Sequence, residues 1–170
     1  MIKARRTACV MTRYANTYPA LDYYMQGCDM GFFDNKIVTL FNRSFNAETE
    51  EETYYMTLLD DVDLVETKGA NVSKSGMDSA DAVKLYIDIT TLKKPYIEPK
   101  AWAALPEEEK PNYFTFAPAE DFFIKGDCTG ATLPENDVYQ WLLDNCDDCY
   151  KITTIDKYED ILPHFEVGGV

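Results

Sequence analysis

Val83, Leu85, Ile87 and Ile89 alternate with Lys84, Tyr86 and Asp88, and this run constrains the fold more than any other part of the chain. Apolar residues at every second position fall on one side of an extended strand, so the spacing predicts a strand with one face in a core and one in solvent. Several other segments share the strand character. Ile37 to Phe45 (IVTLFNRSF) and Thr53 to Leu59 (TYYMTLL) are rich in β-branched and aromatic residues, with polar Asn46 to Glu52 between them, which reads as a hairpin with an acidic tip. Asp60 and Asp61 interrupt before a further strand at Val62 to Glu66. Strand-like stretches follow at Tyr113 to Phe116, Phe122 to Lys125, Tyr150 to Tyr158 and Ile161 to Val167.

Helical signals are fewer. Pro99 to Leu105 has room for about two turns before Pro106 ends it. Thr132 and Glu135 have the capping-box spacing, and Val138, Trp141, Leu142 and Cys146 follow at helical intervals. Pro19 to Gln26 suits a short helix, with Pro in the first turn and Gly27 at its end. Thr67 to Asp81 (TKGANVSKSGMDSAD) is polar, contains Gly69 and Gly76 and shows neither period, so it reads as a long exposed loop. The serial order of short strands predicts a mainly β fold, α+β in class: a small β-barrel or sandwich of about six strands with two or three short helices. Residues 1–35 read as an N-terminal arm with a short helix, and residues 36–170 as the β-barrel-like domain.

Charge narrows the function classes. Sixteen basic against 30 acidic side chains give a formal charge of −14, a field that repels nucleic-acid phosphate. Lys3, Arg5, Arg6 and Arg13 stand in residues 1–13 without an acid, which leaves −18 on the remainder. A basic arm therefore precedes an acidic body. No apolar run approaches the ~20 residues of a membrane span, and no signal-peptide core is present, so the expectation is a protein made in the cytoplasm with no membrane partner. Five cysteines, an odd number without a secretion signal, argue for reduced thiols over a disulfide framework.

Catalytic patterns are sparse. The single histidine, His164, sits beside Phe165, and a packed or hydrogen-bonded role suits it better than that of a general base. Cys146-Asp-Asp-Cys149 is the only CxxC; its flanking acids would raise the thiol pKa values, and a zinc site would need two more ligands from Cys9, Cys28, Cys128 or His164. Buried apolar thiols are the simpler reading. The acidic runs Glu48–Glu52, Asp60–Asp63 and Glu107–Glu109 read as solvated turns, and neither GxGxxG nor a Walker pattern occurs. The expectation is a non-enzyme with no cofactor, metal or catalytic residue. Twelve Tyr and nine Phe exceed what the core requires. An interaction surface is expected at Tyr14, Tyr18, Tyr23 and Tyr24, at the basic residues Lys3, Arg5, Arg6 and Arg13, and at Lys68 and Lys74 in the long loop.

From Ile37 to Val167 one series of segments resembles a family of small tailed-phage and prophage proteins of the head-to-tail joining and minor capsid group. The segments are VTLFNR (38–43), YYMT (54–57), KSGMDSAD (74–81), YIEPKAWAAL (96–105), FTFAPAEDFFIKG (114–126) and PHFEVGG (163–169). The resemblance implies a virion protein at the neck: a homo-oligomeric β-barrel ring below the portal, joining portal or adaptor to tail proteins and helping retain packaged DNA, which passes through the channel. Tail terminator, tail-completion and minor capsid protein are alternative stations. The first 35 residues, the CDDC insertion, and Phe165 where Trp is more usual depart from the pattern. A different class also fits the charge, namely a cytosolic acidic protein that binds or inhibits a DNA-binding partner.

Overall fold

A computed structural model describes residues 36–46, 50–67, 70–73, 76–79, 82–135 and 137–170. The expected arm, its Pro19–Gln26 helix and the ten expected interface residues lie outside them. Residues 33–170 form one compact unit. Eight strands are described: β1 (Lys36–Asn46), β2 (Glu51–Thr67), β3 (Ala70–Ser73), β4 (Gly76–Ser79), β5 (Ala82–Asp88), β6 (Phe122–Lys125), β7 (Cys149–Tyr158) and β8 (His164–Gly169). Six of them close an antiparallel barrel in the order β1-β2-β5-β8-β7-β6, the barrel alternative of the sequence reading. Two short α-helices, α1 (Pro99–Ala103) and α2 (Val138–Asn145), lie in the connections.

The alternation in β5 works as expected: Val83, Leu85 and Ile87 are buried in the barrel interior. Val38, Leu40, Leu59, Val62, Leu64, Phe123, Ile152, Phe165 and Val167 join them. β1 reads as continuous because both of its faces are covered. Val38 and Leu40 point inward, whereas Phe41 belongs to a second core with Phe122, Ile124, Val138, Leu142, Cys146 and Cys149, where α2 packs on the barrel wall.

Two expected strands, 53–59 and 62–66, are halves of one. Val38 pairs with Leu59 and Lys36 with Val62, so β2 carries an extra residue at Asp60–Asp61, and Asp61 takes φ +55°. A bulge bends a strand and raises its twist. Here it lets one strand pair first with β1 and then, from Asp63 to Thr67, with β5.

Four further expectations are corrected. The stretch 67–81 is not simply a loop: β2 runs to Thr67, and β3 and β4 form a two-stranded ribbon with Val72 opposite Met77. A ribbon held by backbone pairing away from the barrel sheets needs no apolar alternation, which is why the pattern is silent there. Helix α2 starts at Val138 and not after Thr132, because Asp137 stands at φ +52°, a left-handed conformation that cannot continue a helix. Tyr113–Phe116 is no strand; a single bridge joins Phe114 to Tyr96, and Phe114 and Phe116 instead fill the barrel. Ile161 and Leu162 precede β8 and form the β7–β8 turn.

Two glycines permit the last closure. A Cβ at Gly168 would collide with Thr154 Oγ1, and one at Gly169 would stand 2.9 Å from Val83 Cγ1 and 3.2 Å from the Lys151 carbonyl. The paired ends Thr67–Ala82, Val83–Gly169, Ile124–Cys149 and Val38–Lys125 define one end of the barrel. Tyr158–His164 and Asp88–His164 lie at the other.

Candidate functional site

Three polar clusters and one apolar projection stand out against this frame. The first cluster is a serine and a lysine. Lys110 is buried, and its Nζ donates to Ser44 Oγ at 2.7 Å and to Glu107 Oε1 at 2.5 Å, lying 5.1 Å from the Trp102 ring centroid. Ser44 Oγ donates to the same carboxylate at 3.0 Å, and Tyr55 Oη donates to Glu107 Oε2. A Ser–Lys catalytic pair needs a neutral amine that accepts the hydroxyl proton. In this cluster the amine is the donor in both of its bonds and is ion-paired to Glu107, so the group acts as a clip between β1, β2 and the 107–110 segment. The partners hold the Glu107 carboxyl below its ordinary pKa, with Lys110 contributing most. The sequence reading missed it, since Lys110 stands in an acidic stretch that gives no sign of burial.

A second cluster surrounds Asp121, which is 1% exposed. Its carboxylate accepts from Asn42 Nδ2 at 2.8 Å, from the Arg43 backbone N–H at 3.0 Å and from the Ala117 N–H at 2.8 Å. Burial pushes its pKa up to about 6 against the pull of these donors. At the other end of the barrel, Glu66 accepts from Tyr150 Oη at 2.7 Å and Lys125 Nζ at 2.8 Å, and Asp148 lies 4.0 Å from Lys125.

His164 is hydrogen-bonded and stacked. Its Nδ1 lies 2.7 Å from the Leu162 carbonyl, its ring stacks on Tyr158 with centroids 4.7 Å apart, and Nε2 is 3.8 Å from Glu166. Cys146 and Cys149 are buried in the second core, with half-buried Cys128 packed against it. Burial, more than the neighbouring thiols Cys146 and Cys128, pushes the Cys149 pKa up to about 12. The flanking acids invoked from sequence are not the cause. Among the described residues no three His, Cys, Asp or Glu side chains are arranged to hold a metal ion.

Acidic runs divide between solvent and ion pairs. Glu52 and Glu120 both pair with Arg43, and Asp60 pairs with Lys93. No helix among the described residues is long and apolar enough to cross a membrane.

The projection is the β7–β8 turn. Ile161 is 89% and Leu162 78% exposed, the highest values among the large apolar side chains described. The turn is nevertheless tied down. Leu162 holds φ +58°, its carbonyl meets His164 Nδ1, and the Pro163 carbonyl accepts from the Ile89 N–H at 3.1 Å. A non-glycine residue in the left-handed region costs on the order of 1 kcal/mol and persists only where its surroundings impose it. Ile161 and Leu162 thus stand in solvent on a turn that its own hydrogen bonds hold in place. Sequence reasoning placed Ile161 and Leu162 in a strand, and the signal it passed over is the flanking pair Asp160 and Pro163, which marks a turn. Lys3, Arg5, Arg6, Arg13, Tyr14, Tyr18, Tyr23, Tyr24, Lys68 and Lys74 all fall outside the described residues.

Comparison with known families finds a match over residues 33–170 to one described as a family of unknown function, DUF6751. No curated protein and no solved structure matches the chain.

Proposed function

The chain belongs to the DUF6751 family, whose function is open, and from its own residues we propose that it is a structural subunit of a tailed-phage particle. In this reading it self-associates as a ring at the head-to-tail junction, joins portal to tail and helps retain packaged DNA. The observation that carries the reading is the anchored apolar turn Ile161–Leu162 at one end of a barrel whose interior is filled by Phe114, Phe116 and Phe165. A filled barrel offers its outside to a partner, and an ordered apolar projection supports a protein partner. The resemblance of segments 38–43, 54–57, 74–81, 96–105, 114–126 and 163–169 to head-to-tail joining proteins supports the neck, with tail terminator, tail-completion and minor capsid protein as the alternative stations. The net charge of −14 supports a channel wall to which DNA does not adhere.

Quantitative mass spectrometry of purified particles from a producing strain tests this. A fixed ratio of the chain to the portal protein is expected, and deletion of its gene should yield filled heads without tails. Absence of the chain from particles, together with normal tailed particles in the deletion strain, overturns the reading. If the chain is instead a cytosolic acidic inhibitor, it stays in the soluble fraction as a monomer and titrates a DNA-binding enzyme.

A further inference from the structure

In the closed barrel, β7 extends beyond its neighbour β6. Only Phe122–Lys151, Phe123–Tyr150 and Ile124–Cys149 pair β6 with β7. Ile152 then donates its N–H to the Asp121 carbonyl at 3.0 Å and accepts from the Ala119 N–H at 2.8 Å. From Thr153 to Tyr158 the strand has β8 on one side and no backbone partner among the described residues on the other. Five of these six residues are exposed. The irregularity of the ribbon lies between Ile152 and Thr154, so Thr154–Tyr158 stays in regular register with β8. A regular, exposed edge is a template for an added strand, which soluble proteins normally cover or disrupt.

We propose that this edge receives residues 2–14 of a second copy of the chain as an added strand, with Ile161 and Leu162 covered where the strand ends. The inference rests on the self-associating role proposed above and names the contact that performs it. Charge supports the choice of occupant. The edge and its turn carry Asp156, Lys157, Glu159 and Asp160; Lys157 pairs with Glu159 at 2.5 Å, which leaves the acids Asp156 and Asp160 with no ion-pair partner among the described residues. Residues 2–14, IKARRTACVMTRY, carry Lys3, Arg5, Arg6 and Arg13, and the first acid of the chain is Asp22. The segment has no Gly or Pro, and Val10, Thr7 and Thr12 favour extended backbone.

Reach supports it as well. The 21 residues between Tyr14 and Lys36 span up to about 70 Å when extended, against about 33 Å for a strand as long as β7. β1 begins at the end of the barrel opposite the β7–β8 turn. A segment leaving one barrel can therefore reach the free edge of a neighbour, and each added copy presents a new edge. Such a heterologous contact closes into a ring or continues as a filament.

Sedimentation velocity of the full-length chain over a concentration series tests the contact. Association is expected, weakening with added salt. Arg5→Glu with Arg6→Glu, and separately Ile161→Ser with Leu162→Ser, should each weaken it at least tenfold; the turn residues are exposed, and unchanged thermal melting confirms that the fold survives. Asp156→Arg with Asp160→Arg should restore association when mixed with the Arg5→Glu, Arg6→Glu chain. Zero-length cross-linking of a mixture of isotopically light and heavy chains should join Lys3 to Asp156 or Asp160 in hybrid-mass pairs. A monomer at every concentration, association indifferent to both sets of variants, or cross-links confined to single copies overturns the inference. Association that survives the variants removes this contact and leaves the structural-subunit reading standing; that reading falls on the particle analysis.

Discussion

Asn42 on β1 and Asp121 ahead of β6 are bonded inside the protein, with Asn42 Nδ2 donating to Asp121 Oδ2 at 2.8 Å and to the Thr115 carbonyl at 2.7 Å. The Thr115 N–H returns a longer bond to Asn42 Oδ1. Asn42 is fully buried. The pair ties the 115–121 segment, which brings Phe116 into the barrel, to β1 at the place where β6 is too short to reach.

Replacing Asn42 by Leu leaves the Asp121 carboxylate and the Thr115 carbonyl each short of a donor. Loss of roughly 2–4 kcal/mol is expected, since each unsatisfied buried group costs about 1–3 kcal/mol. Urea unfolding should show a lower midpoint with an unchanged slope.

Asp121 also sets a pH dependence. Its pKa is raised to about 6 in the folded chain, against about 3.9 unfolded. The native state therefore holds the proton more tightly, so this contribution to stability is fully present below about pH 4 and is lost as pH rises through about 6. The difference in unfolding free energy between the natural chain and Asp121→Asn should fall over that window by up to about 3 kcal/mol. Urea titrations of both proteins from pH 4 to 7.5 measure it, and a difference that rises with pH contradicts the assignment.

Cys149 should be chemically silent. A thiol pushed to about 12 by burial holds about a thousandfold less thiolate near pH 8 than an ordinary one. Timed alkylation with iodoacetamide followed by peptide mapping should modify half-buried Cys128 well before Cys149. Ser44 should likewise resist fluorophosphonate labelling, because Lys110 is a donor to it and not its base.

Gly169→Val tests closure of the barrel. The added carbons would press on Val83 Cγ1 and on the Lys151 carbonyl, neither of which can retreat far from a strand held on both sides. Overpacking of this kind costs about 1–3 kcal/mol. A thermal midpoint indistinguishable from that of the natural chain would show that β8 has room there.

The period-two run at Val83–Ile89 and the β-branched segments at 37–45 and 150–158 determined, without any tertiary information, a mainly β chain of about six principal strands. They did so because alternation and β-branching are consequences of a pleated backbone with one buried face, and they act on each segment locally. What lay beyond local pattern was decided only in three dimensions. Asp60–Asp61 reads as a gap and is a bulge, because joining two half-strands depends on which neighbours each half finds. Ile161–Leu162 reads as strand and is an exposed turn: Asp160 and Pro163 mark it locally, and the backbone N–H of Ile89, more than 70 residues earlier, fixes it to the barrel through the Pro163 carbonyl. Lys110 follows the Glu107–Glu109 run, which reads as solvated, and is itself buried, since its partner Ser44 lies 66 residues away in sequence. The free edge of β7 follows from the shortness of β6, a property of two strands together. Composition determined the separation of a basic start from an acidic body. Where the acid gathers depended on the barrel, because charge acts through space and only the fold sets the distances.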